Sequence, residues 1–200
     1  MSEPQQLIKV FYTCFQQRDW KGMLNCYHED VFFYDPVFQD LQAPQARAMW
    51  EMLLTGAKDL QVSFSNIKCE PASAGESTAT QDSTAARELT AAMKLTGPIV
   101  EETHGEETIP DTYGSCNWIA TYTFSQTGRK VENKAKALFT FRDGKIIEHQ
   151  DDFSLWRWSR QALGIPGILL GWTLFLQNKI RRQARRSLEK FMTRSSSPMV

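Results

Sequence analysis

Three consecutive segments in the C-terminal half of the chain alternate apolar and polar residues, and this pattern restricts the fold more than any other feature. The segments are CNWIATYTF at 116–124, VENKAKALFTF at 131–141 and IIEHQDDF at 146–153. A period of two is the repeat of a β-strand with one buried face and one wet face, as in many antiparallel sheets. Asp143-Gly144 lies between the last two segments, and Asp-Gly is a strong hairpin signal. The pattern therefore predicts an antiparallel sheet with one covered face.

Helical patterns precede this sheet. Apolar residues recur at helical spacing near the N-terminus: Leu7, Val10, Phe11, Cys14 and Phe15. Asp19 is placed to cap a second helix, with Trp20, Met23, Leu24 and Tyr27 on its inner side. Pro44 begins a third helix, and Gly56 ends it. Residues 31–35 alternate as a strand, as do residues 60–64, where a change of parity before Ile67 and Cys69 indicates a bulge. This order of elements predicts an α+β fold.

Residues 70–115 differ in composition from the rest of the chain. They are rich in Ser, Thr, Ala, Glu and Gly, and they contain nine Asp or Glu residues against Arg87 and Lys94 alone. So few large apolar side chains cannot offset the entropy of ordering the segment. We therefore expect an acidic insertion in a hairpin loop, and a loop of this length is either disordered or functional. Cys69 and Cys116 bracket it; reducing conditions argue against a bond between them, whereas adjacent strand ends would permit one.

The C-terminal region is predicted to be helical and basic. A short helix over LWRWSRQAL ends at Gly164, and Pro166 begins a long helix that continues to about residue 193 with a single apolar stripe. Residues 157–194 contain nine Lys or Arg residues against Glu189 alone. Three interpretations remain open: a solvated face on a docked helix, pairing with the acidic insertion, or peripheral contact between residues 166–194 and an anionic membrane. RNA binding is disfavoured because exposed aromatic residues do not alternate with the basic ones.

Composition limits the remaining classes of partner and site. Lys plus Arg and Asp plus Glu are equal at 23 each, so no overall field attracts nucleic acid. The three histidines are too scattered to predict a metal site, and no motif indicates a cofactor. The longest apolar run has about 14 residues, fewer than the roughly 20 that a membrane-spanning helix needs. The cysteine pattern and the polar N-terminal segment favour a cytoplasmic protein with reduced thiols.

The segment FYTCFQQRDWKGMLNCYHEDVFFYDPVF resembles the start of the nuclear transport factor 2-like superfamily, in particular its SnoaL-like and ketosteroid isomerase-like branches. The Asp-Gly hairpin and the ending GKIIEHQDDFSLWRW resemble it too. The resemblance implies a cone-shaped, curved antiparallel sheet wrapped by N-terminal helices around a pocket, and pairing into homodimers. It predicts a SnoaL-like domain over residues 1–158, interrupted by 70–115. A C-terminal extension over 159–200 then consists of the basic amphipathic helix and a short tail.

The resemblance also implies candidate catalytic residues. In ketosteroid isomerases an Asp directly before a Pro shuttles the proton, and Asp35 matches that motif. The two matched positions for oxyanion donors are Phe11 and Ala137, which cannot donate a hydrogen bond, and this weakens a dienolate mechanism. SnoaL-like cyclases use an Asp and a His in the pocket, and His149 and Asp151 share the inner face of the last strand. Asp151 also matches a carboxylate of limonene epoxide hydrolase-like proteins, although the arginine of that set is missing.

Each candidate has a structural interpretation as well. Asp35 before Pro36 is equally a turn residue, and His149 is equally a buried histidine at the rim of the sheet. The residues predicted to line the pocket are Phe11, Tyr12, Phe33, Trp50, Trp118, Tyr122, Ala137 and Phe139.

Two classes of function follow from the sequence. The favoured class is a pocket protein that binds a small apolar molecule, with Asp35 as general acid or base in a cofactor-free isomerase, hydrolase or cyclase-type reaction. The alternative is a non-enzymatic module for dimerisation or partner contact that uses the sheet face and the basic helix.

Overall fold

The computed structural model describes residues 2–72 and 112–195 of the chain. The first range contains α1 (Glu3–Gln17), α2 (Trp20–Asn25), β1 (Tyr27–Tyr34), α3 (Ala43–Gly56) and β2 (Gln61–Pro71). The second range contains β3 (Thr112–Phe124), β4 (Arg129–Arg142), β5 (Lys145–Asp152), α4 (Leu155–Leu163), α5 (Ile165–Leu170) and α6 (Leu174–Ser195). Helices packed around one five-stranded sheet confirm the predicted α+β fold with a C-terminal helical extension.

The sheet is open and curved, with the strand order β1-β5-β4-β3-β2. Neighbouring strands are antiparallel except β1 and β5, which pair in parallel, so the sheet is mixed where the sequence predicted a wholly antiparallel one. A parallel pair requires a long crossover connection. Here α3 and the strands β2 to β4 lie between β1 and β5 along the chain. The register shifts between Ser65 and Lys68, which confirms the predicted bulge, and such bulges bend a strand.

One face of the sheet is covered, as the alternation predicted. On β4 the side chains of Val131, Asn133, Ala135 and Ala137 are buried. The intervening Glu132, Lys134 and Lys136 are exposed. The core lies between this inner face and helices α1 and α3, where rings from both helices meet rings from the strands.

The start of β1 differs from the sequence prediction. Asp19 caps α2 as expected, because its Oδ1 accepts a hydrogen bond from the Gly22 N–H at 3.0 Å. Tyr27 was predicted to lie on α2, but it is the first residue of β1. The N–H of Ile146 donates to the carbonyl of Cys26 at 3.0 Å, so pairing with β5 begins before another helical turn can form.

The boundaries of the predicted insertion are narrower than 70–115. β2 continues to Pro71, β3 begins at Thr112, and Glu70 pairs with Tyr113. The backbone hydrogen bonds of the hairpin continue past the last apolar residues at both ends. Composition alone therefore made the predicted insertion too long. The prediction of an acidic, disordered segment falls on 73–111, which lie outside the described residues.

The C-terminal helix is broken where a continuous one was predicted. α4 ends before Gly164 as expected, but the helix that begins near Pro166 stops at Leu170, and α6 starts at Leu174. The Thr173 hydroxyl accepts a hydrogen bond from the Leu176 N–H at 3.3 Å, an interaction typical of a new helix start. None of the helices in the two described ranges combines the length and the apolarity that crossing a membrane requires.

Candidate functional site

A cavity of about 730 Å³ lies between the inner face of the sheet and helices α3 and α6. Its wall is mostly aromatic and aliphatic; it includes Phe33, Trp50, Trp118, Tyr122, Leu176 and Ile180. The carboxyl groups of Asp35 and Asp151 are also on this wall, and both residues are buried. Two buried carboxyls therefore share one largely apolar cavity, and the exposed Asp59 is a third carboxyl at its edge.

The backbone after β1 determines the position of Asp35. Its Oδ1 accepts hydrogen bonds from the N–H of Val37 at 2.8 Å and the N–H of Phe38 at 2.5 Å. Its carbonyl oxygen accepts from the Gln39 N–H at 2.9 Å, and Gln39 has the left-handed φ of 58°. Pro36 has no N–H and a fixed φ, which suits the first position of such a turn. The two interpretations of Asp35 are therefore compatible, because the residue that closes the turn also lines the cavity.

Burial changes the acidity of Asp35. Removal from water raises its pKa from 3.8 to about 7. The N–H groups of Phe38, Val37 and Gln39 oppose this rise in pKa by stabilising the carboxylate, and the nearby Asp151 adds to it. A carboxyl group with a pKa near neutrality exists in both protonation states at neutral pH, as general acid–base catalysis requires.

Two side chains hold Asp151 in place: Trp118, which is also on the wall, and His149, which lies behind it. The Trp118 Nε1–H donates to Asp151 Oδ1 at 2.7 Å, and the His149 Nε2 lies 3.2 Å from the same oxygen. His149 and Asp151 are two residues apart on β5, so both side chains point to the inner face.

His149 is buried behind the cavity wall. Its Nδ1 lies 2.7 Å from the Tyr27 hydroxyl, which accepts a hydrogen bond from the Trp50 Nε1–H at 2.9 Å. When Tyr27 donates to Nδ1 and His149 Nε2–H donates to Asp151, every donor in this series has an acceptor. Five rings surround the imidazole: Phe11, Tyr27, Phe33, Trp50 and Phe139. His149 thus contacts the carboxyl on the cavity wall and is itself shielded.

The cavity wall contains some of the predicted pocket residues. Phe33, Trp50, Trp118 and Tyr122 lie on it. Phe11, Tyr12, Ala137 and Phe139 are instead in the packed layer between α1 and the sheet.

The packing of α1 explains this difference, because the Tyr12 ring stacks on Phe64 with centroids 5.4 Å apart and leaves no room for a ligand. Phe11 and Ala137, the positions matched to oxyanion donors, are therefore not on the wall.

The sequence analysis did not predict two parts of the site, Tyr27 and the residues of α6 on the wall. Tyr27 was assigned to a helix, although counting back in steps of two from Asp35 through Phe33 and Val31 reaches it. The exposed Glu29 interrupts that alternation and hides the signal. The contribution of α6 to the wall was also missed, since an apolar stripe predicts that a helix docks but not where.

Across residues 2–72 and 112–195, no three His, Cys, Asp or Glu side chains are arranged to hold a metal ion.

Comparisons with known proteins agree with this architecture. Residues 8–149 match the SnoaL-like domain family. A nuclear transport factor 2-like protein of unknown function from Burkholderia pseudomallei is similar in structure, with a TM-score of 0.53 and 14% identity over 81% of this chain and 98% of that one. A protein of ketosteroid isomerase-like fold from Catenulispora acidiphila, solved in complex with trimethylamine, has a TM-score of 0.52 and 10% identity over 81% of this chain and 95% of that one.

No curated protein matches the chain. Structural similarity at 10–14% identity supports the fold and not an activity. The family match covers well over half of the sequence, and the structural neighbours have the fold that the N-terminal and hairpin motifs implied. The chain belongs to the SnoaL-like domain family, and its fold is similar to that of the nuclear transport factor 2-like protein from Burkholderia pseudomallei.

Proposed function

We propose that the cavity binds a small, largely apolar molecule and that Asp35 exchanges a proton with a polar group of this ligand. The observation that carries the proposal is the presence of two buried carboxyls, Asp35 and Asp151, on a wall otherwise rich in aromatic and aliphatic side chains. Ligand sites are commonly apolar clefts of this size with a few convergent polar groups.

The proposed chemistry is acid–base catalysis without a cofactor, of the isomerase, hydrolase or cyclase type. With a pKa near 7, Asp35 donates a proton to a carbonyl or hydroxyl oxygen below neutrality and accepts one above it. Asp151 serves as the second polar group, and its bonds from Trp118 and His149 keep its carboxylate oriented. The substrate class is a small apolar molecule with at least one carbonyl or hydroxyl group.

A mechanism through a fully developed enolate is not favoured. Such an intermediate needs hydrogen-bond donors for its oxygen, and removing one donor costs roughly two to three powers of ten in rate. The positions that match the oxyanion donors of ketosteroid isomerases are Phe11 and Ala137 here. Proton transfer at a hydroxyl, or addition of a water molecule or hydroxyl group to the substrate, fits the wall better.

The test is a thermal-shift panel of sterols, terpenoid epoxides, polyketide-like aromatics and fatty acids on the wild type and on Asp35→Asn. A ligand that binds the folded state raises the melting temperature by mass action. Asn keeps an oxygen acceptor for the Val37 and Phe38 N–H groups, so the turn is retained. Asp40→Asn, at an exposed position in the same segment, is the matched control.

We expect at least one class to raise the melting temperature of the wild type and of Asp40→Asn, and to give a different shift with Asp35→Asn. That class then enters a turnover assay. The proposal fails if no class produces a shift while all three proteins are folded.

A further inference from the structure

The region around α5 presents large apolar side chains to solvent. Seven of them are between 45% and 72% exposed: Ile165, Ile168, Leu169, Leu170, Trp172, Leu174 and Phe175. We refer to these seven residues as the α5 surface. Scattered exposed apolar residues are normal, but a contiguous run of this kind marks an interaction site.

The packing of α5 keeps these residues outside. A Cβ atom at Gly167 would lie 1.9 Å from the carbonyl oxygen of Ser159, and one at Gly171 would lie 2.2 Å from the Ser159 hydroxyl. α5 therefore rests on α4 through its glycines, because only a residue without a side chain permits this approach. Rotating α5 to bury its large side chains would break that contact, so their exposure is a property of the docked helix.

Positive charge lies next to the α5 surface. On α6, Lys179, Arg182 and Arg186 follow Phe175 at i+4, i+7 and i+11, and all three are exposed on the same helix face. We refer to these three residues as the basic stripe. The buried positions of α6, Leu176 and Leu188, lie on other sides of the helix.

α4 adds a further cation beside the α5 surface. The guanidinium carbon of Arg160 lies 4.8 Å from the ring centroid of Trp156, and the Trp156 ring borders the backbone of Gly171. Residues 155–195 contain nine Lys or Arg residues, and Glu189 is their single acidic residue. The apolar residues are therefore bordered by one sign of charge.

We propose that the α5 surface inserts into the interface of an anionic lipid bilayer while the basic stripe contacts the lipid headgroups. Apolar side chains next to exposed cations are the combination that binds such an interface, and a tryptophan like Trp172 suits the boundary between headgroups and acyl chains. A second copy of the chain fits less well. A two-fold contact through this surface would place two regions of the same charge side by side.

The same helices reach the candidate cavity. Pro166 of α5 and Leu176 and Ile180 of α6 lie on its wall. Docking would therefore hold the cavity next to the bilayer, where an apolar ligand is concentrated. The supply of ligand rests on the proposed function, whereas docking needs no ligand.

The experiment measures co-sedimentation of the full chain with vesicles of phosphatidylcholine alone or mixed with phosphatidylglycerol, without added ligand. The test variant combines Leu169→Gln with Trp172→Gln, both at exposed positions that tolerate polar side chains. Val10→Gln, at a position that is 40% exposed on α1, is the matched control. A second variant combines Arg182→Gln with Arg186→Gln.

We expect the wild type and Val10→Gln to bind the mixed vesicles. The Leu169 and Trp172 variant should bind at least roughly tenfold more weakly, from the apolar area no longer buried. The arginine variant should bind more weakly than the wild type, by up to roughly tenfold. Raised salt should lower the binding of the wild type. Asp35→Asn should bind vesicles like the wild type, which separates this proposal from the proposed function.

Two results would overturn the proposal. One is wild-type protein that stays in the supernatant with mixed vesicles at low salt. The other is a wild-type dimer in sedimentation equilibrium that the Leu169 and Trp172 variant converts to monomer, with neither protein binding vesicles, since a second copy would then cover the α5 surface.

Discussion

The His149 Nε2 lies 3.2 Å from Oδ1 of Asp151. Asp151 is on the cavity wall, whereas His149 lies behind it. The histidine thus acts on a ligand only through the carboxyl that it orients. Tyr27 completes this arrangement from β1, the parallel neighbour of β5. The pairing that the sequence did not predict is therefore the one that assembles the site.

Asp35→Asn is expected to change how stability depends on pH. The pKa of Asp35 is about 7 in the folded protein, and its ordinary value is 3.8. Between these two pH values the folded protein therefore keeps the Asp35 proton, whereas the unfolded chain has released it. The stability from this proton is complete below pH 3.8 and is lost as the pH rises through 7. Relative to Asp35→Asn, the wild type should lose on the order of 4 kcal/mol of unfolding free energy across this window.

Urea unfolding of both proteins at several pH values from 4 to 8 measures that difference. Above pH 7.5 the difference should become constant. A difference in unfolding free energy that does not vary with pH would mean that Asp35 is ionised across the whole range.

Tyr27→Phe is expected to be more destabilising than Tyr122→Phe. Tyr27 bonds two buried partners, Trp50 and His149, whereas the Tyr122 hydroxyl accepts one hydrogen bond, from Trp158 at 2.8 Å. Buried polar groups left without partners cost about 1–3 kcal/mol each. Loss of about 2–4 kcal/mol in the first variant and about 1–2 kcal/mol in the second should appear in urea unfolding. Equal losses would show that the connection from Tyr27 to His149 adds nothing.

Gly167→Ala is expected to disturb the docking of α5 on α4. The new methyl group would clash with the Ser159 carbonyl oxygen, a backbone atom that cannot turn aside, and overpacking of this kind costs about 1–3 kcal/mol. Gly56→Ala is the control, because nothing lies within 4 Å of a Cβ atom there. Thermal unfolding should show a lower melting temperature for the first variant and no decrease for the second. Two unchanged melting temperatures would refute the tight contact.

Arg181→Ala is expected to loosen α6 from the turn that contains Asp35. The Arg181 Nε–H donates to the carbonyl oxygen of Pro36 at 3.0 Å, which ties the helix to the cavity edge. Amide hydrogen exchange in Leu174–Ser195 should be faster in this variant than in Arg182→Ala, where the exposed neighbour changes instead. If both variants exchange like the wild type, apolar packing alone holds α6 in place.

Local patterns predicted much of this molecule. The alternation on β5 placed His149 and Asp151 on one face, and the Asp-Pro pair identified the turn that Asp35 closes. These features depend on residues close in sequence, where the period of a strand or the chemistry of a turn decides the outcome.

Features that depend on distant contacts were harder to predict. The apolar spacing on α1 does not reveal that Phe11 and Tyr12 fill the layer behind the cavity and leave none of their surface on its wall. The fit of Gly167 and Gly171 on Ser159, beside the break after Leu170, is likewise a contact that no periodicity contains. Periodicity identifies the buried side of an element but not the element that it meets.

The most direct test of the proposed site is a titration of the Asp35 carboxyl carbon by NMR, with the protein free and then saturated with a ligand from the thermal-shift panel. Comparison with Asp35→Asn assigns the signal. We expect an apparent pKa near 7 for Asp35 in the free protein and a changed pKa when the ligand occupies the cavity. A pKa near 3.8, or a titration that the bound ligand leaves unchanged, would contradict it.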